Sequence, residues 1–171
     1  MKILLLSDTH GHVDDWMVKH AEDVDEIWHA GDIGDLSVTD TLESIKPIKA
    51  VYGNIDNHLA RVTHPQNQVF HCEGKKVVMT HIGGYPPQWH KRILPFIQAT
   101  NPDIFICGHS HILKVIYDKN KNILHLNPGA AGLIGIHKVR TMLKFEIKHG
   151  DIKNMQIIEK ELPKLQPHFS P

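Results

Sequence analysis

Seven side chains in this sequence have types and spacing suited to chemistry: Asp8, His10, Asp32, Asn54, His81, His109 and His111. Each follows a short apolar run. Residues 3–6 lead into Ser7-Asp8-Thr9-His10, residues 27–30 into Gly31-Asp32, and residues 48–52 into Gly53-Asn54-Ile55-Asp56. Residues 77–80 lead into His81, and residues 104–107 into Gly108-His109-Ser110-His111. Mixed imidazole and carboxylate donors suit manganese, iron, zinc, nickel or cobalt better than an all-oxygen calcium site. A carboxylate such as Asp32 can bridge two ions roughly 3.5–4 Å apart, and such a pair clamps both oxygens of an in-line displacement. Water on such ions loses a proton near neutral pH, which supplies a hydroxide nucleophile. Asp8-x-His10 and His109-x-His111 would point two ligands the same way from extended segments, because side chains alternate with period two. Each fragment alone is weak, since Gly-Asp and Gly-Asn are common turns. All five, in this order and each at a strand end, point to a dinuclear centre for phosphoester chemistry.

The elements that must position these groups follow from periodicity. Residues 3–6, 26–30 and 48–52 read as buried strands, and residues 13–22 and 37–45 as the helices between them. Ser37-x-x-Asp40 resembles a capping box. This β-α-β-α-β order implies parallel strands whose carboxyl ends gather ligands. Residues 69–72 and 76–80 read as a hairpin around Glu73-Gly74-Lys75. Residues 88–100 read as a helix that Pro95 should kink or split. A strand over 104–107, a pair at 113–117 and 123–126, and a hairpin at 141–147 and 152–158 complete the pattern. The expected organisation is one domain over residues 1–171, with a loosely held, proline-bearing tail from about residue 162.

Composition narrows the function classes. Lysine plus arginine equal aspartate plus glutamate at 19 each, so no basic field favours a nucleic-acid partner. No run approaches the length needed to span a bilayer, and the apolar start is too short for a signal peptide. The expectation is a cytoplasmic protein with no membrane partner. Cys72 and Cys107 read as small buried residues rather than a disulfide. Most of the fifteen histidines read as ordinary surface or core residues, and Trp16, Trp28 and Trp89 as packing rather than a base-stacking platform.

From Asp8 to about Gly129, including Asn127-Pro128-Gly129, the sequence resembles the calcineurin-like metallophosphoesterases, specifically their small bacterial and archaeal phosphodiesterase branch. The resemblance implies an α/β fold, a four-layer αββα sandwich of two mixed β-sheets flanked by helices. It implies two divalent transition-metal ions, manganese foremost. Asp8, His10, Asp32 and His111 would hold the first, and Asp32, Asn54, His81 and His109 the second. It further implies a phosphodiesterase in which a metal-bridging hydroxide attacks a small phosphoester, with Asp32, Asn54 and His109 as its catalytic residues. A homo-oligomer is compatible with the sequence.

Two motifs depart from the family. The larger family has histidine where this chain has Ile55, so the usual proton donor to the leaving group is gone; small members of the branch often lack it too. His81-Ile82-Gly83-Gly84 replaces the usual His-Gly-His, keeping the first histidine only. His12 and His58 read as loop residues that could substitute as acids. Asp56 reads as a hydrogen-bonding anchor for the Asn54 loop, Asp35 likewise, and His29 as a strand residue packed near the site. The competing reading is a protein-interaction scaffold on the same fold, similar to the metallophosphoesterase-like subunit of retromer.

Overall fold

Buried strands with continuous apolar runs need cover on both faces, and the computed structural model, which describes residues 1–163, supplies it with two sheets and outer helices. The first half of the chain runs β1 (Lys2–Leu6), α1 (Asp15–Glu22), β2 (Glu26–His29), α2 (Leu36–Glu43), β3 (Ile48–Ala50) and α3 (His58–Thr63). Next come β4 (Asn67–Cys72), β5 (Lys75–Thr80), the short β6 (Gly84–Tyr85) and β7 (Gln88–Trp89), then α4 (Leu94–Thr100) and β8 (Ile104–Ile106). The chain closes with β9 (Leu113–Asp118), β10 (Ile123–Pro128), β11 (Val139–Lys148) and β12 (Asp151–Glu161).

One sheet has the order β12-β11-β1-β2-β3, the other β4-β5-β8-β10-β9, and β6 pairs with β7. Both are mixed. The strands β1, β2 and β3 run parallel, β11 is antiparallel to β1, and β12 is antiparallel to β11. In the second sheet β5, β8 and β10 run parallel, with β4 and β9 as antiparallel edges. Ile3, Leu5, Trp28, Leu143 and Phe145 of the first sheet pack against Val77, Met79, Ile104, Ile106 and Leu126 of the second. The opposite face of the first sheet, with Leu4, Leu6 and Ile27, takes Met17 and Ala21 of α1 and Val38 and Leu42 of α2. The outer face of the second, with Val78 and Phe105, takes Trp89, Ile93 and Ile97. These three apolar contacts are the three interfaces of an αββα sandwich, as expected.

Local differences have local causes. Residues 88–100 are not one helix. Gln88–Trp89 pairs in a small hairpin and α4 starts at Leu94, with Pro95 in its first turn, where its missing N–H costs nothing. Helix α2 is capped by Asp35, whose carboxylate accepts from the Ser37 N–H at 2.8 Å, not by a Ser37 box. Helix α3 was not expected; Asn57 caps it by accepting from Ala60 N–H at 3.0 Å. The anticipated loose tail lies, over residues 164–171, outside the described residues, while Leu162 N–H still donates to Lys138 O at 3.2 Å.

Candidate metal centre

All five ligand-bearing segments leave the carboxyl ends of parallel strands, but the strands belong to two sheets. Asp8, His10, Asp32 and Asn54 come from the β1, β2 and β3 ends; His81, His109 and His111 come from the β5 and β8 ends. The centre therefore sits where the open ends of two facing sheets meet, rather than along one sheet edge.

The segments are not extended, so period-two alternation is not what aims the side chains. Asp8, His10, Asp32, His109 and His111 have φ of 55°, 49°, 53°, 69° and 57°, all left-handed. That region is sparsely used outside glycine, and Asp and His tolerate it better than branched residues do. Backbone hydrogen bonds hold the strained turns: Asp8 N–H donates to Gly31 O at 2.9 Å, His10 N–H to Asp32 O at 3.0 Å, and Gly108 N–H to His81 O at 3.0 Å. Two glycines are required by crowding. A Cβ on Gly53 would lie 2.0 Å from Asp32 Oδ1, and one on Gly108 would lie 2.0 Å from Ser7 Oγ and 2.9 Å from Asp8 Oδ2.

Two ligand groups result: Asp8 with His10 and His111, and Asp32 with His81 and His109, the donor atoms of each within 4.8 Å of one another. In the first, His111 Nε2 lies 3.3 Å from Asp8 Oδ1 and 3.2 Å from His10 Nε2. In the second, His81 Nε2 lies 3.2 Å from Asp32 Oδ1. Asp32 also reaches the first group, with Oδ2 at 4.0 Å from His10 Nε2. His81 is buried, and its Nδ1 lies 2.8 Å from Ala30 O, which fixes Nδ1–H as the donor and turns the Nε2 lone pair inward. That buried Nε2 faces the Asp32 carboxylate without meeting hydrogen-bond geometry to any described residue. Lone pairs of six side chains thus converge with one buried nitrogen lacking a hydrogen bond, a donor set that fits divalent cations.

Electrostatics follow the geometry. Burial alone would lower the His81 pKa, but the Asp32 and Asp8 carboxylates outweigh it and raise it. The Asp8 carboxylate raises the His111 pKa, whereas partial burial and His81 lower that of His109. Burial opposes ionisation of Asp32, yet His81 and the Ile55 N–H, donating at 3.1 Å, hold its pKa below the ordinary value.

Supporting residues fall where the sequence suggested. Asp56 is buried and accepts from the N–H groups of Ile33, Gly34 and Gly53 at 3.1, 2.7 and 2.7 Å, tying the β2 and β3 loops together. His29 accepts from Gly31 N–H at 3.2 Å through Nδ1, which leaves Nε2–H to donate to Thr9 Oγ1 at 2.9 Å. Burial pushes its pKa down to about 4, so it is neutral scaffolding. Asn54 is exposed and lines a cleft with His81. His12 sits 3.5 Å from Asp14, and His58 opens α3 on the surface; neither joins a ligand group. Sequence reasoning missed His137, whose ring packs on His111 at 5.3 Å, and Arg61, which donates to Asp56 O and Asn54 O at 2.8 and 3.0 Å. Neither stands in a motif, because a loop far along the chain and an unexpected helix deliver them.

The profile of the calcineurin-like phosphoesterase superfamily domain matches residues 1–150, which include every candidate ligand position. The chain belongs to the calcineurin-like phosphoesterase superfamily. A probable metallophosphoesterase of Mycoplasma pneumoniae is 30% identical over 161 residues, covering 90% of this chain and 94% of that one. Among solved structures, an archaeal phosphodiesterase superposes with a TM-score of 0.70 at 22% identity, over 92% of this chain and all of its own. Vps29 of Entamoeba histolytica in complex with zinc superposes with a TM-score of 0.71 at 17% identity, over 94% of this chain and 99% of its own. The superfamily's fold is thus shared both by a phosphodiesterase and by Vps29. Among the described residues no helix is long and apolar enough to cross a membrane.

Proposed function

We propose that this superfamily member is a phosphodiesterase that works with two divalent ions, manganese foremost. The observation that carries the reading is the convergence of Asp8, His10 and His111 with Asp32, His81 and His109, around a His81 Nε2 that lacks a hydrogen bond. In this reading Asp8, His10, Asp32 and His111 hold one ion, and Asp32, Asn54, His81 and His109 the other. Asp32 reaches toward both groups, which suits a shared ligand. When bound, the ions supply Lewis acidity toward the phosphoryl oxygens and an activated water. The residues then have separable tasks. The Ala30 carbonyl fixes the His81 tautomer and aims Nε2. Asp8 accepts the His109 N–H at 3.1 Å, which fixes the turn carrying both His109 and His111. Asn54, facing the cleft, offers amide N–H donors to charge developing on the phosphoryl group. Ile55 cannot donate a proton, so esters with acidic leaving groups are the favoured substrates. Two buried free thiols, Cys72 and Cys107, suit a cytoplasmic setting.

The test is Asp32→Asn in a panel of metals against phosphomonoesters and phosphodiesters. Turnover of the manganese-loaded protein should fall at least about a hundredfold, the loss that even residues behind the ligands can produce, with an unchanged circular dichroism spectrum. Equal activity in a folded, chelator-treated sample sinks the mechanism. The scaffold reading is favoured by one observation, the isoleucine at position 55. Metal analysis separates the two: two ions per chain are expected of the enzyme, and a purified protein that binds none favours the scaffold.

A further inference from the structure

Beside the ligand groups a cleft of about 440 Å³ runs outward from His81 and Asn54. Its wall includes Tyr52, Arg61, His90, Arg92 and Phe96, and no carboxylate lines it. The chain carries equal numbers of acidic and basic residues, so two guanidinium groups without a facing acid are a local feature rather than a general excess of charge. Arg61 is fixed in place: its guanidinium lies over the Tyr52 ring at 5.2 Å, and Nε and Nη2 donate to the carbonyls of Asp56 and Asn54. Those partners are neutral, so its charge stays uncompensated. Arg92 is exposed, and among the described residues neither arginine has a salt-bridge partner. Arg61 comes from α3 and Arg92 from the turn before α4, so two separate segments place their cations on one cleft.

We infer that this cleft binds a second phosphate: the substrate is a phosphodiester whose non-scissile arm ends in a phosphomonoester, held by Arg61 and Arg92 while the diester lies at the ligand groups. Guanidinium forks match phosphate oxygens in geometry. A phosphomonoester carries about −1.5 to −2 charge near neutral pH, which two arginines balance and a carboxylate would not. Tyr52 and Phe96 give the arm between the two phosphates an apolar wall. The inference rests on the phosphoesterase reading for its scissile group, while the cleft's own affinity can be measured without turnover.

The test uses ligands that cannot be hydrolysed, with the full-length, manganese-loaded protein. Propylphosphonate is titrated calorimetrically against the propane, butane and pentane bisphosphonates, in wild type and in Arg92→Glu. Arg92 is chosen because it is exposed, whereas Arg61 also supports the Asn54 loop. At least one bisphosphonate should bind wild type about tenfold more tightly than propylphosphonate, as charge-assisted hydrogen bonds predict, and Arg92→Glu should cancel that preference. No preference in wild type, or a preference that survives in the variant, overturns the inference. A second arm compares cleavage of p-nitrophenyl 3-hydroxypropyl phosphate with its 3-phosphorylated counterpart; the ratio of kcat/KM should favour the phosphorylated ester in wild type and fall in Arg92→Glu. An equal ratio in the two proteins overturns the inference. If the bisphosphonate preference appears but neither ester is cleaved with any metal, the phosphoesterase reading fails and the anion cleft stands.

Discussion

The two ligand groups differ in how firmly the protein alone holds them. Asp32 and His81 are both buried, and each is fixed by a backbone partner, Ile55 N–H and Ala30 O respectively. His10 and His111 are less completely buried, and their Nε2 atoms face each other at 3.2 Å, where two neutral imidazoles gain at most one hydrogen bond. The Asp32–His81 pair is therefore organised ahead of any ion, although the third member of its group, His109, is exposed. In the other group His111 leans on Asp8 at 3.3 Å, and among the described residues the His10 ring hydrogen-bonds only to the His111 ring, so a cation would do more to order it. Preorganisation and affinity should go together, so the Asp32 side is expected to bind its ion more tightly.

Breaking the firmer side should have the largest effect. His81→Ala is expected to lower bound manganese from two ions to one per chain and to cut phosphodiester turnover at least about a hundredfold, measured by metal analysis and steady-state kinetics. Retention of both ions would mean that the buried group is not the tighter one.

Acid should loosen the scaffold behind both groups. His29 has an ordinary pKa of 6.5 that burial lowers to about 4, so the unfolded chain takes up this proton before the folded one does. Stability from this residue is complete above pH 6.5 and falls as the pH drops toward 4, by up to about 3 kcal/mol for a shift of this size. Urea midpoints of chelator-treated protein across that range should show the fall, and His29→Gln should flatten it. An identical slope in both proteins would assign the acid loss elsewhere.

Gly53→Ala tests the firm side by crowding alone, since the new Cβ would sit against Asp32 Oδ1. It should cost about 1–3 kcal/mol in denaturant midpoint and weaken the tighter ion while leaving the other bound. His10→Ala should have the smallest effect on stability. The side chain is 13% exposed and its one ring partner among the described residues is His111 at 3.2 Å, so chelator-treated protein should lose no more than about 1 kcal/mol. The loaded protein should nevertheless lose its weaker ion. A large loss of stability without metal would show that the first group is as well organised as the second.

The candidate ligand positions were legible because the chemistry stands at the ends of apolar runs, and a buried parallel strand announces itself by such a run. How the side chains are aimed was not legible. Asp8, His10, Asp32, His109 and His111 all adopt left-handed φ, and these turns are held by bonds to loops more than twenty residues away, which no local pattern records. The one available signal was residue type, since Asp and His accept that backbone region better than most. Helix α3 escaped because its Leu59 and Val62 face solvent and give it no apolar stripe. Pro95 misled because a proline in a first turn and one in a helix interior look alike until the start of the helix is known. The Arg61 and Arg92 cleft had no signature, because its two cations meet only after the second sheet folds against the first.

The placement of the ligands at the open ends of both sheets has a mechanical consequence. His10 and His111 lie 101 residues apart, one on each leaf of the sandwich. An ion gripped by both would close a very long loop and act as a clasp against prying the leaves apart. Its contribution would grow with the logarithm of free metal. The same centre would then report metal supply twice over, as activity and as the force the fold withstands, and a metal-starved cell would lose the enzyme's toughness along with its turnover.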